Sequence, residues 1–128
     1  MHPILDHKTL EDYILSMPNA WLDYPFGEDV GVYKIGGSPE DKADGKMFAL
    51  ISEAKKPLQI SLKCDPTLAK VLREKYEEVM EGYHLNKKHW ITVVLTGQLS
   101  QDEIEDLIRH SYILAGGKYG PENDPTGQ

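Results

Sequence analysis

The sequence has one cysteine, Cys64, in 128 residues, and it has no long apolar run. A single cysteine excludes an internal disulfide and is typical of a protein kept in a reducing compartment. No apolar stretch approaches the roughly 18 residues that a membrane-spanning helix requires, and the N-terminus has no hydrophobic signal-peptide segment. These absences predict a cytoplasmic protein with no membrane partner.

Familiar catalytic motifs are also absent. The chain contains no G-x-S-x-G, no H-E-x-x-H and no phosphate-binding Walker loop. His84 and His89 have no cysteine or acid at a recognised metal-ligand spacing, so neither a metal site nor a cofactor is predicted. The glycines at 116–120 follow a predicted helix instead of preceding one, which favours helix termination over phosphate binding. We therefore predict no catalytic residues, and an enzyme is the least favoured class of function.

The formal net charge of −7 argues against tight non-specific binding to nucleic acid, because phosphate neutralisation supplies most of that affinity. The charge is unevenly distributed, however. Residues 46–64 carry four lysines and one glutamate, and residues 82–90 carry two lysines and no acid, giving +3 and +2. The rest of the chain then carries −12. This uneven distribution is compatible with a dipolar surface.

The hydrophobic pattern predicts one α+β domain over residues 1–117, with a disordered polar tail over residues 118–128. Helices and strands are expected in the order α-β-β-β-β-α-β-α, which implies an antiparallel sheet with helices packed mainly on one face. The predicted strands cover residues 21–24, 30–35, 46–52, 58–64 and 91–95. Strict alternation in the last two predicts that they share a sheet, with four of their side chains buried: Ile60, Leu62, Ile91 and Val93.

Helix boundaries are signalled by capping residues. The first helix is expected to begin near Asp6 or His7 and to end before Pro18. Asp65-Pro66 supplies an N-cap followed by proline at the first helical position, and Ser100 with Glu103 forms a capping-box pattern. The buried stripe predicted for the middle helix consists of Leu68, Val71, Leu72 and Tyr76. The face predicted for the last helix consists of Ile104, Leu107, Ile108, Ser111 and Ala115.

Residues 82–90 are the most informative segment for function. They combine two lysines, two histidines, an asparagine and two aromatic residues, a mixture that packing alone rarely requires. In one interpretation the segment contacts an anion or nucleic acid. Lys87 and Lys88 would then meet phosphates, Asn86 and His84 would hydrogen-bond, and Tyr83 or Trp90 would stack on a base. In the other interpretation, His84 and Asn86 tie the loop to the sheet while Trp90 and Tyr83 fill the edge of the core.

Several segments together resemble the YjbR/MmcQ family of small bacterial proteins over roughly residues 7–115. The matching segments are Pro25-Phe26-Gly27, Gly45 to Ala49, Ser61 to Cys64, Gly82 to Trp90, and Ser111-Tyr112. The resemblance implies an α/β domain with a double-wing shape similar to that of DNA-binding proteins. The acidic residues near positions 40–44 would place the wrong sign of charge on such a wing.

These observations leave two main hypotheses. The first is a DNA-binding or regulatory module whose binding is weak or restricted to certain sequences. The second is a domain that binds a protein or a small anion through the same loop. The predicted contact residues are Lys63, Tyr83, His84, Asn86, Lys87, Lys88, His89 and Trp90. Cys64 is expected to be a small buried hydrophobic residue and not a nucleophile.

Overall fold

The computed structural model describes residues 1–37, 40, 45–82 and 85–118. The predicted roles of Tyr83 and His84 therefore lie outside the described residues, as does the predicted tail beyond Lys118. The three helices are α1 (His7–Leu15), α2 (Pro66–Lys75) and α3 (Gln101–Leu114). The six strands are β1 (Ala20–Asp23), β2 (Val30–Ile35), β3 (Lys46–Ser52), β4 (Gln59–Lys63), β5 (Val79–Glu81) and β6 (Trp90–Val94).

The strands form one sheet in the order β1-β2-β3-β4-β6-β5, and every neighbouring pair is antiparallel. The predicted α+β class, the antiparallel sheet and the order of the longer elements are confirmed. The sequence did not predict β5, which has only three residues and adds an edge strand beside β6. None of the helices in the described ranges is long and apolar enough to cross a bilayer.

The main core lies between the sheet and the three helices. Residues from all three helices belong to the same buried cluster, together with one face of the sheet. One row across that face pairs Tyr33 with Ala49, Ala49 with Leu62, and Leu62 with Ile91. Ile60, Leu62, Ile91 and Val93 are all fully buried, which confirms the alternation predicted for these strands.

The caps form as the sequence predicts. Asp6 Oδ1 accepts a hydrogen bond from Thr9 N at 2.8 Å, and Asp65 Oδ2 accepts from the first-turn amides of α2. At α3, Ser100 Oγ accepts from Glu103 N at 3.1 Å while Glu103 Oε1 accepts from Ser100 N at 2.9 Å. Each helix therefore begins at a side chain that satisfies otherwise unpaired amides.

The predicted stripe of α2 is wrong at one position. Val71 is 51% exposed, whereas Ala69 and Leu72 are buried. Leu68 and Tyr76 pack only partly against the core. The buried face is thus centred on Ala69 and Leu72, three residues apart, and Val71 falls about 100° away from Leu72 around the helix. A small alanine at the helix–sheet contact gives no strong signal in a hydrophobic pattern.

A second, smaller cluster lies on the other face of the sheet. It consists of Val32, Leu50 and Trp90, with Leu85 and other residues packed around it. Among the described residues, no helix contributes to this cluster. The same face also buries an ion pair between Lys34 Nζ and Asp23 Oδ2 at 3.1 Å, with side chains 10% and 5% exposed. Strand alternation alone does not predict that pair.

Glu78 is a buried carboxylate that organises the segment leading to α3. Its Oε2 accepts hydrogen bonds from Thr96 N at 3.0 Å and from Thr96 Oγ1 at 2.5 Å, and its Oε1 accepts from Leu99 N at 2.8 Å. In return, Glu78 N donates to Gln98 Oε1 at 2.8 Å. The carboxylate therefore accepts hydrogen bonds from the backbone amides of Thr96, Gln98 and Leu99.

Replacing Leu62 by alanine should lower the free energy of unfolding by about 2–5 kcal/mol, because its side chain is fully buried between the sheet and the helices. Val71→Ala is the matched control, since that side chain is largely exposed, and it should change stability by no more than about 0.5 kcal/mol. Chemical denaturation monitored by circular dichroism measures both. Equal midpoints for the two variants would contradict this description of the core.

Glu78→Ala should lower the free energy of unfolding by about 3 kcal/mol or more, because it leaves several amides without their charged acceptor. The neighbouring Glu77 is exposed, so Glu77→Ala removes the same charge without that loss and should stay within about 0.5 kcal/mol of the native protein. Denaturation curves measured side by side would refute a structural role for Glu78 if the two variants were equally stable.

Candidate loop-edge cavity

The segment at 82–90 is the connection of a β-hairpin between β5 and β6. Gly82 starts it at a point of very close contact, because a Cβ placed there would lie 2.6 Å from Trp90 Cβ. Gly82 N donates to Trp90 O at 3.1 Å, and Cys64 N donates to His89 O at 2.8 Å. The two ends of the loop are therefore fixed to the sheet and to the residue that follows β4.

A cavity of about 510 Å³ lies between this loop, the end of β4, the start of α2 and the end of α3. We call it the loop-edge cavity. It is lined by Lys63, Cys64, Asp65, Pro66, Asn86, His89, Trp90 and Leu114. Four of the predicted contact residues, Lys63, Asn86, His89 and Trp90, thus meet around one concave surface.

Asn86 shapes the turn of the loop. Its Oδ1 accepts a hydrogen bond from Lys88 N at 2.9 Å, and its carbonyl oxygen accepts from His89 N at 3.2 Å. This is the local pattern of an asparagine turn, which holds the backbone of the following residues. Both bonds lie within the loop, so they do not test the predicted role of Asn86 in tying the loop to the sheet. An asparagine amide nitrogen is a donor, and neither bond uses it.

The basic residues of the segment and the neighbouring Lys63 differ in their surroundings. Lys88 and His89 are exposed. Lys87 is also exposed, at 72% of its side chain, and its Nζ lies 3.8 Å from Glu81 Oε2, which is a weak surface pair. Lys63 Nζ sits 5.8 Å from the centre of the Trp90 ring, close enough for a cation–π contact.

Trp90 is only 6% exposed, and it belongs to the cluster with Val32 and Leu50. Its ring is packed against the sheet and covered on one side by Lys63, so it is not presented as a surface on which a base could stack. For this residue the structure favours the packing interpretation.

Cys64 is among the lining residues of the cavity, but the residue is only 1% exposed. Burial, followed by the nearby Asp65 carboxylate, raises the pKa of the Cys64 thiol to about 11. The thiol is therefore protonated near neutral pH and is a poor nucleophile. In the described ranges, no group of three or more histidine, cysteine, aspartate or glutamate side chains is arranged to hold a metal ion.

The sequence missed the contribution of Asp65, Pro66 and Leu114 to this cavity. The signal for the first two was present, since the Asp65-Pro66 cap places the start of α2 directly after the end of β4. Leu114, at the C-terminal end of α3, could not be found that way, because its position depends on how α3 crosses the sheet.

Comparisons with known proteins agree on one family. A family model described as YjbR matches residues 15–114. The chain is 37% identical over 108 residues to the uncharacterized protein YbdF of Escherichia coli O157:H7, covering 84% of this chain and 82% of that one. It is 35% identical to the uncharacterized protein YjbR of Escherichia coli K12 over 67% of this chain and 73% of that one.

A solved structure shows the same architecture. The crystal structure of protein DR2400 from Deinococcus radiodurans, described with a DUF419 domain, superposes with a TM-score of 0.82 at 32% identity. The match covers 94% of this chain and 86% of that one. At this identity and coverage, the match extends to nearly the whole fold.

Cys64 should react with a thiol reagent at least about a hundredfold more slowly in the native protein than in the unfolded chain, because its thiol is buried and its pKa is raised. The rate of labelling by 5,5′-dithiobis(2-nitrobenzoate) at pH 7.5, with and without guanidinium chloride, measures this ratio. Similar rates in the two conditions would show that the thiol is accessible.

Proposed function

This chain belongs to the YjbR family, and on that premise we propose that it is a binding module for phosphate-bearing anions, with duplex DNA as the first candidate. The observation that carries the proposal is the loop-edge cavity, where Lys63 and His89 meet an asparagine turn. Exposed Lys87 and Lys88 extend the same segment outward. The double-wing shape, a DNA-binding role and a cytoplasmic location implied by the sequence are all part of this proposal.

The chemistry of the segment suits phosphate contacts better than base contacts. Lysine ammonium groups, histidine and asparagine donors are common partners of phosphate oxygens, and such contacts carry no sequence information. Base stacking by Trp90 is not included, because the ring is buried. The proposed interface therefore positions the protein on the backbone of a nucleic acid.

Charge sets the expected strength of this binding. The net charge is −7, and Glu81 lies near Lys87 within the proposed interface. Both oppose a polyanion, so affinity should be low and strongly dependent on salt. A weak binder of this kind would depend on high local concentration of its target.

A second candidate is a small phosphate-bearing molecule bound in the same cavity. Concavity favours it, because a duplex needs a continuous positive strip whereas a small anion needs only one concave pocket. The volume of about 510 Å³ is within the usual range for small ligands. A protein partner carrying a phosphate or carboxylate group would use the same side chains.

The double substitution Lys87→Ala/Lys88→Ala should weaken binding to duplexes of many sequences alike and flatten the dependence of log affinity on log salt by about one to two units. Fluorescence anisotropy with labelled duplexes at low and moderate salt measures both quantities. The matched control is Lys8→Ala/Lys70→Ala, which changes the net charge equally at exposed positions on α1 and α2.

The outcomes separate the candidates. If only Lys87→Ala/Lys88→Ala loses affinity, the result supports contact between the loop and DNA. If the control variant loses the same affinity, the loss is explained by the change in net charge. If the native protein binds no duplex at low salt, inorganic pyrophosphate titrated by nuclear magnetic resonance tests the second candidate. Shifts at Lys63, Asn86 and His89 that Lys63→Gln abolishes would support it, and their absence would reject anion binding at this cavity.

A further inference from the structure

The sheet face that carries no helix among the described residues contains a second concavity, of about 430 Å³, which we call the face cleft. Its floor follows from the strand register: Leu50, Ser61 and Thr92 are paired across β3, β4 and β6. This row alternates with the row that faces the helices, so its side chains point to the opposite side. Leu85 of the 82–90 loop forms a further part of the lining, together with Val30.

The floor contains a hydroxyl pair, and Ser52 and Gln59 are further uncharged polar residues of the lining. Ser61 Oγ and Thr92 Oγ1 are 2.8 Å apart, and the two residues are 8% and 1% exposed. In the centre of a sheet, branched apolar side chains normally fill such positions. A hydroxyl has one proton and two lone pairs, so Ser61 Oγ can form a further hydrogen bond whichever way the mutual bond points.

The walls and the mouth of the cleft define the ligand further. Val30, Leu50 and Leu85 are apolar, and Phe26 stands at the mouth with 64% of its surface exposed. A ligand that covers an exposed aromatic ring beside an apolar concavity gains free energy of binding, because apolar surface is removed from water. The volume lies within the range typical of small-molecule sites.

The charge of the lining favours an uncharged ligand. Asp29 and Lys55 are its two ionisable residues within the described ranges, and their formal charges cancel. A charged ligand would lose hydration in this cleft without a net opposite charge to compensate for it. This neutral lining separates the face cleft chemically from the loop-edge cavity.

We propose that the face cleft binds a compact, uncharged and largely apolar molecule with one hydrogen-bonding oxygen, which meets the hydroxyl of Ser61. The apolar body of the ligand lies on Val30 and Leu50 under Leu85, and Phe26 covers its exposed side. This site lies apart from the proposed anion site and is lined by a different residue of the same loop.

A set of matched probes tests the proposal with the native protein. Benzyl alcohol has the apolar ring and the oxygen, toluene lacks the oxygen, and benzoate carries a charge. Amide chemical shifts followed during titration should change saturably for benzyl alcohol at cleft residues such as Leu50, Ser61 and Leu85. Toluene and benzoate should each bind at least about threefold more weakly, because each lacks one matched property.

Two variants locate the binding. Ala54 lines the cleft and is exposed, so Ala54→Trp should fill the cleft and abolish the shifts while the fold is retained. Ser61→Ala should lower affinity for benzyl alcohol about fivefold and leave toluene unchanged. Lys87→Ala/Lys88→Ala serves as the control and should bind benzyl alcohol as the native protein does, even where DNA binding is lost. Unfolding midpoints verify that each variant is folded.

Three results would overturn the proposal. They are the absence of saturable shifts at the cleft with benzyl alcohol, equal binding of benzoate and benzyl alcohol, and binding that survives Ala54→Trp in a folded variant. The chemical-shift changes of the native protein test the proposal even if a variant fails to fold. Changes confined to residues on the helical side of the sheet would contradict the proposed site.

Discussion

The hydroxyl of Ser111 on α3 joins the helix layer to two strands of the sheet by hydrogen bonds. Ser111 is fully buried, and its Oγ donates to Phe48 O of β3 and accepts from Lys63 N at the end of β4. The register between β2 and β3 shifts between Tyr33 and Lys34, next to Phe48. The irregular strand and the strand end therefore satisfy their backbone groups through one side chain of α3.

Packing around this hydroxyl brings together three of the family-like segments, at residues 45–49, 61–64 and 111–112. The Phe48 and Tyr112 rings meet edge to face with centroids 5.3 Å apart, and Tyr112 OH donates to Pro18 O. Gly117 packs on the Tyr112 ring so closely that a Cβ there would lie 2.3 Å from it. The same joint fixes the backbone of Lys63, and thereby one wall of the loop-edge cavity.

Much of the fold could be predicted because its signals are local. Alternation at Ile60 and Leu62 and the caps at Asp65 and Ser100 depend on neighbouring residues alone. Two features depended on distant contacts and could not be predicted: the acceptor role of Glu78, which satisfies amides about 20 residues away, and the edge strand β5, too short for periodicity.

The candidate site, like the fold, could be predicted only where its signals are local in sequence. A run of lysine, histidine and asparagine marked the loop, but composition could not tell that Trp90 is packed inward while Lys88 and His89 remain exposed. That distinction arises from the pairing of Trp90 with Lys63 across the sheet. The sequence also did not indicate that Ser61 and Thr92, which alternate with apolar residues, are both buried in the floor of a cleft.

Residues of the 82–90 loop line two different cavities. Leu85 lines the face cleft, while Asn86 and His89, one and four residues further along, line the loop-edge cavity. Any displacement of this short segment by an occupant on one side would alter the other, and thermodynamic linkage requires the influence to be equal in both directions. If both proposed sites are occupied, this shared loop would couple the affinities of two chemically unlike ligands that do not touch each other.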